Sequence, residues 1–133
     1  MRLRTLLLQM IRQLRGGAPS QWIEVDALAG QLKARNGVAV IDVRGPDEFT
    51  GPLGHIGASL NIPLAELPGR LIEINALKDQ PVILVCRTDK RSASAATQLR
   101  DAGFRDVHVL RGGMERWNQK GLPVEGRARP GQA

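Results

Sequence analysis

Short runs rich in β-branched residues recur along the chain: Trp22 to Val25, Val38 to Val43, Leu60 to Ile62, Val82 to Val85 and Val107 to Leu110. Their length and composition predict strands, and the continuous apolar ones predict strands buried on both faces. Between them the apolar spacing changes to that of helices. Asp26 is read as the N-cap of a helix running to about Arg35, ended by Asn36 and Gly37. Leu64, Leu67, Leu71, Ile72 and Ile74 mark a helical stretch over Pro63 to Leu77, which Pro68 and Gly69 are expected to split in two. Ser92 to Ala102 has the Ala, Leu and Gln content of a helix closed by Gly103, and a last helix carries Met114 and Trp117 after Gly112 and Gly113.

Strands alternating with helices predict an α/β domain, a mainly parallel sheet with helices on both faces. We place this domain at residues 18–125, with a helical extension at 1–17 and a flexible tail at 126–133. The stretch G-A-P-S after Gly16 reads as a linker, and G-L-P-V at Gly121 to Val124 is expected to pack back on the body. In the extension, Leu3, Leu7, Met10 and Leu14 recur at helical spacing while Arg2, Arg4, Arg12 and Arg15 take other positions. Such a basic amphipathic helix offers an apolar face to the domain itself, to a second subunit in a homodimer, or to an anionic membrane surface.

Charge changes this picture less than its total suggests. The formal net charge is +6, but Arg2, Arg4, Arg12, Arg15, Arg127 and Arg129 lie in the two ends, where no acidic residue accompanies them. The middle is formally neutral, and aromatic residues are scarce, with no Tyr. A basic stripe with interleaved aromatics is therefore missing, which argues against nucleic acid as a partner. No run approaches eighteen apolar residues, and the N-terminal leucines are interrupted by Gln9, Arg12 and Gln13 with no clean cleavage site, so a cytoplasmic protein is expected.

The single cysteine excludes an internal disulfide framework and a multi-cysteine metal site, and nothing in the sequence calls for a metal or an organic cofactor. Cys86 stands where the apolar run Val82 to Val85 ends and a loop holding Arg87, Lys90 and Arg91 begins, ahead of a helix. Backbone N–H groups in such a turn, the positive end of the helix dipole and three cations all favour an anion, and thiolate is the reactive form of cysteine. A nucleophilic thiol fits these neighbours better than an inert packing one.

Four motifs now stand in order: I-D-V-R with D-E-F after it, G-H-I-G-A-S-L-N-I-P, V-C-R-T-D-K-R-S, and L-R-G-G-M-E-R-W with G-L-P-V after it. Together they resemble the single-domain rhodanese family of sulfurtransferases over about Gln21 to Val124. The resemblance implies a rhodanese-like α/β domain with a central, mostly parallel five-stranded sheet. It also implies an enzyme in which Cys86 takes a sulfane sulfur from thiosulfate or another small anion, holds it as a persulfide, and passes it to cyanide or a thiol. Arg87, Thr88, Asp89, Lys90, Arg91 and Ser92 then form the substrate-binding loop, with Lys90 and Arg91 favouring anionic donors, or with the Arg91 guanidinium tying the loop to the domain instead of touching substrate. Asp89 departs from the glycine often found there and leaves the donor open. Asp42 and Arg44 are expected first as a carboxylate and guanidinium pair holding loops in place, with a place for Arg44 at the pocket entrance, in reach of substrate, as the alternative. Asp42, Glu48 and His55 support the site, Glu48 as a partner for Arg44. His55 qualifies as a base only by residue type, because a donor's sulfur has no proton to remove.

Two other function classes compete. A cysteine phosphatase or arsenate reductase also uses a loop thiolate and an arginine, but with C-x5-R spacing around a tetrahedral oxyanion; Cys86 to Arg91 is C-x4-R, a tighter loop. The other alternative is a rhodanese-like regulatory or binding module, or a persulfide carrier served by a protein donor or acceptor.

Overall fold

The computed structural model describes residues 21–127. The expected basic helix at 1–17 and the end of the tail lie outside them. Five strands form one sheet: β1 (Trp22–Ile23), β2 (Ala39–Asp42), β3 (Leu60–Asn61), β4 (Val82–Val85) and β5 (Val107–Leu110), in the order β1-β5-β4-β2-β3. Every pairing is parallel. The helices are α1 (Val25–Lys33), α2 (Pro46–Phe49), α3 (Leu67–Arg70), α4 (Lys90–Asp101) and α5 (Gly113–Gln119), with 3-10 turns at Leu64–Glu66 and Leu71–Leu77 on either side of α3.

Strand alternation divides the core. Val82, Leu84 and Cys86 face one side, where Ala95, Ala96 and Leu99 of α4 cover them together with Leu67 and Ile74. Ile83 and Val85 face the other, against Val25 and Leu28 of α1 and Met114 and Trp117 of α5. The central strand β4 is thus apolar throughout because both of its faces are roofed.

Three sequence expectations shift. Val25 is the first residue of α1 and not the last of β1; Glu24 takes the N-cap position and Asp26 lies in the first turn, where a carboxylate still favours the helix dipole. Between residues 63 and 77 the chain does not break at Pro68 and Gly69. Pro68 falls within the first turn of α3, where a missing N–H does no harm, and the irregularity appears as 3-10 turns before and after. Helix α4 starts at Lys90, two residues earlier than expected, so Lys90 and Arg91 belong to its first turn.

The C-terminal segment closes on the body. Leu122 and Val124 pack on the α1–α5 core, Trp117 Nε1 donates to the Pro123 carbonyl at 2.8 Å, and Glu125 forms an antiparallel bridge with His55. Among the described residues no helix is long and apolar enough to cross a membrane.

Candidate active site

The chain reverses direction across the sheet at β2: β3 lies on one side of it, β4 on the other. Open α/β sheets place their ligands in the crevice at such a switch, beyond the carboxyl ends of the strands. Cys86 follows β4 and the stretch from Asp42 to Arg44 follows β2, with Asp42 in register beside Val85. Both candidate motifs therefore meet at one point of the fold.

Cys86 is buried, with 1% of its surface exposed. Its Sγ lies 3.0 Å from Ser92 Oγ and 3.4 Å from the Ser92 backbone N. Ser92, expected in the substrate loop, is fully buried and instead contacts the thiol directly. Its hydroxyl is also 3.4 Å from the Asp89 carbonyl, so it can turn between that acceptor and an anionic sulfur.

The loop between Cys86 and α4 is shaped from outside. Met114 N donates to the Cys86 carbonyl and Glu115 N to the Arg87 carbonyl, both at 3.0 Å. Gly113, at φ +55°, has no room for a side chain, since a Cβ there would strike the carbonyl oxygens of Cys86, Arg87 and Thr88. A trans peptide points its C=O and N–H in opposite directions. Carbonyls gathered at the start of α5 therefore turn the following amides away from that helix, into the loop. Among the described residues the amides of Arg87, Thr88, Asp89, Lys90 and Arg91 have no protein acceptor, and Asp89, although at the N-cap of α4, makes no side-chain capping bond. The result is a set of unclaimed N–H donors at a helix start beside a buried sulfur, an arrangement that stabilises negative charge.

Asp42 and Arg44 form the loop-holding pair expected of them, while the alternative of Arg44 on substrate and the expected partner of Glu48 are not met. Arg44 is 1% exposed and committed to structure. Its Nε and Nη2 donate to the Asp42 carboxylate at 2.7–3.1 Å, Nη1 to the Glu48 carbonyl at 3.1 Å, and Nη2 to the Gly54 carbonyl at 2.7 Å. With its donors so engaged, Arg44 holds the β2 end and the following loop together instead of presenting a free guanidinium to substrate. Glu48, expected to pair with Arg44 through its carboxylate, instead grips Arg91 bidentately at 2.6 and 2.9 Å. Arg91 is thereby tied to α2.

The Arg91 guanidinium, first by hydrogen bonding and also by its charge, draws the Glu48 carboxyl from its ordinary 4.5 to about 2, with the Gly45 amide adding to this and burial opposing it. The same pairing raises Arg91. Glu48 thus contributes stability at and above about pH 4.5 that is lost as pH falls towards 2. Both side chains are more than a third exposed, so the contribution is about 1 kcal/mol or less. Urea titrations of the native chain and Glu48→Gln are expected to differ at pH 7 and to converge as the pH is lowered through this window. A difference that does not change with pH would exclude the assignment.

His55 is held by contacts to Phe49 and Glu125. Its ring stacks on Phe49 with centroids 3.6 Å apart, Nδ1 lies 2.8 Å from the Phe49 carbonyl, and its backbone pairs with Glu125. Arg87 and Thr88 are exposed, as is Lys90. No cluster of three or more metal-ligating side chains occurs among the described residues.

Three further residues shape the site. Asn61 Nδ2 bridges the carbonyls of Asp42 and Arg44, fixing the β2 end. Glu115 pairs with Arg87 at 2.6 Å. Gly113 moulds the loop as described. Each stands inside a motif quoted above, but only the three-dimensional approach of α5 and β3 to the loop reveals what it does.

Comparison with known proteins agrees with this geometry. The sequence profile of the rhodanese-like domain matches residues 24–120. A sulfurtransferase of Allochromatium vinosum is 34% identical over 102 residues, covering 77% of this chain and 92% of that protein. A solved rhodanese-related protein of Thermoplasma volcanium superposes with a TM-score of 0.69 at 32% identity, covering 80% of this chain and 98% of that one. A thiosulfate sulfurtransferase of Pseudomonas aeruginosa gives 0.71 at 26% identity, covering 90% of this chain but 22% of that longer one.

Proposed function

The chain belongs to the rhodanese-like domain family, and from that premise we propose that it is a sulfurtransferase that carries a sulfane sulfur on Cys86 from a donor to a thiophilic acceptor. The observation that carries this reading is the buried Sγ beside Ser92 and a loop of amides without protein acceptors. In the first half-reaction the Cys86 thiolate attacks the outer sulfur of the donor. With thiosulfate, a Cys86–S bond forms, the donor's S–S bond breaks, and sulfite leaves with the bonding pair. The new terminal sulfur is an anion, and the loop amides are placed to receive it without reorganisation. In the second half-reaction cyanide or a thiolate attacks that sulfur; with cyanide, thiocyanate leaves and the Cys86 thiolate returns. One nucleophile thus divides a difficult transfer into two displacements.

Burial of Cys86 favours this reading over phosphate-ester chemistry. Only the tip of a donor can reach the sulfur of a cysteine that is 1% exposed, and the C-x4-R loop is one residue shorter than the phosphatase spacing. The test is intact-mass analysis before and after exposure to thiosulfate, a polysulfide or an organic persulfide. A gain of one sulfur atom is expected in the native chain and none in Cys86→Ser. The proposal is overturned if no donor adds sulfur, or if the variant gains it equally.

A further inference from the structure

The rim of the loop is formally neutral. Arg87, Lys90 and Arg91 supply the cations, and each arginine is matched by a carboxylate from another element: Glu115 of α5 lies 2.6 Å from Arg87, and Glu48 of α2 grips Arg91. Asp89 adds a third carboxylate within the loop itself, in the residue before Lys90. Arg44, deeper, is neutralised by Asp42. Because the Arg91 contact holds Glu48 ionised down to about pH 2, its carboxylate is a full charge at any working pH. Such a rim does not steer a small dianion, which would have to displace a carboxylate to reach either arginine.

Next to the loop lies a cleft of about 330 Å³, lined by Arg44, Glu48, Pro52, Leu53, Arg87 and Glu115. That volume is in the range of sites for small organic ligands and exceeds what a five-atom inorganic anion requires. Pro52 and Leu53 give it an apolar part, while Arg87 and Glu115 offer one charge of each sign at its edge.

Resting on the reading of Cys86 as sulfur acceptor, we propose that the preferred donor is a zwitterionic organic persulfide, of the amino-acid or small-peptide class, whose body occupies this cleft. Its ammonium and carboxylate exchange partners with the Arg87–Glu115 pair without changing the net charge of the rim, and its carbon chain covers Pro52 and Leu53. The Cys86 thiolate bonds to the terminal sulfur of R–S–SH. The donor's S–S bond breaks, R–S⁻ departs with the bonding pair and takes the proton of the terminal S–H, and Cys86 retains an anionic persulfide.

The test measures second-order rates of Cys86 persulfide formation by quenched-flow mass analysis at 0.15 M salt. The donors are cysteine persulfide, 3-mercaptopropionate persulfide, which keeps the carboxylate but lacks the ammonium, and thiosulfate. Cysteine persulfide is expected to react at least about tenfold faster than either other donor. Glu115→Gln, at a half-buried rim position, is expected to slow cysteine persulfide and quicken thiosulfate, narrowing that gap about tenfold. Thiosulfate matching cysteine persulfide in the native chain overturns the proposal, as does a gap that Glu115→Gln leaves unchanged. Sulfur reaching Cys86 from none of the three defeats instead the sulfurtransferase reading on which it rests.

Discussion

Gly113→Ala is expected to slow persulfide formation on Cys86 about a hundredfold, because a misplacement of the reacting groups by about 1 Å has that effect. The glycine sits at φ +55°, and the Cβ of alanine would collide with three successive carbonyl oxygens of the loop, those of Cys86, Arg87 and Thr88. These are backbone atoms, two of them already accepting hydrogen bonds from the start of α5, so they cannot swing aside as a flexible side chain would. Relief requires α5 or the loop to move, and either movement rotates the amides that face the sulfur. The left-handed conformation alone costs alanine about 1–2 kcal/mol. Gly121→Ala is the matched control: it has φ +67° and open space around its Cβ, so it carries the conformational cost without the collision. Transfer rates together with urea midpoints separate the two effects. A Gly113→Ala rate equal to that of Gly121→Ala would refute the role assigned to the glycine.

Asp42→Ala is expected to destabilise the domain by about 3–5 kcal/mol, the usual effect of removing one partner from a buried ion pair. Both Asp42 and Arg44 are 1% exposed, and no buried side-chain polar atom lacks a partner among the described residues. Taking away the carboxylate leaves a guanidinium charge in the interior with only the Glu48 and Gly54 carbonyls to receive it. Since domains of this size are stable by about 5–15 kcal/mol, the loss is a large share of the total. Arg44→Met in the Asp42→Ala background is expected to recover part of it, because the uncompensated charge is then gone. Equilibrium urea unfolding of the native chain and the two variants decides the matter. A single-variant loss below about 1 kcal/mol, or no recovery in the double variant, would show the pair to be of little weight.

The strands that carry the site were legible in the sequence because they are buried on both faces. Val82–Val85 and Val107–Leu110 have the predicted boundaries, and the position of Cys86 at the end of the first follows directly. The partnership of Glu48 was not legible. A carboxylate four residues beyond Arg44 is a reasonable local partner, yet Arg91, more than forty residues away, takes it, while Arg44 keeps to Asp42, the pairing two residues apart that the sequence suggests. Sequence spacing identifies neighbours on one element and says little about which elements converge. The same limit applies to Gly113: its sequence marks a turn, whereas its lack of a side chain matters because α5 closes on a loop from another part of the chain. Interruption by 3-10 turns around α3 was likewise hidden, since Pro68 reads as a break but is harmless at a helix start.

The contacts between α5 and the cysteine loop also set an order of events in synthesis. Cys86 leaves the ribosome before Gly113, Met114 and Glu115, the residues whose approach and amides fix its loop. Strand β1, made early, pairs among the described residues only with β5 and must wait for it. Chain elongation at about 5–20 residues per second therefore separates the appearance of the thiol from the completion of its surroundings by roughly one to six seconds. During that interval Cys86 is an ordinary cysteine on an unfinished chain. It gains its surrounding amides only when α5 docks, so nascent and truncated products lack the assembled loop around the thiol.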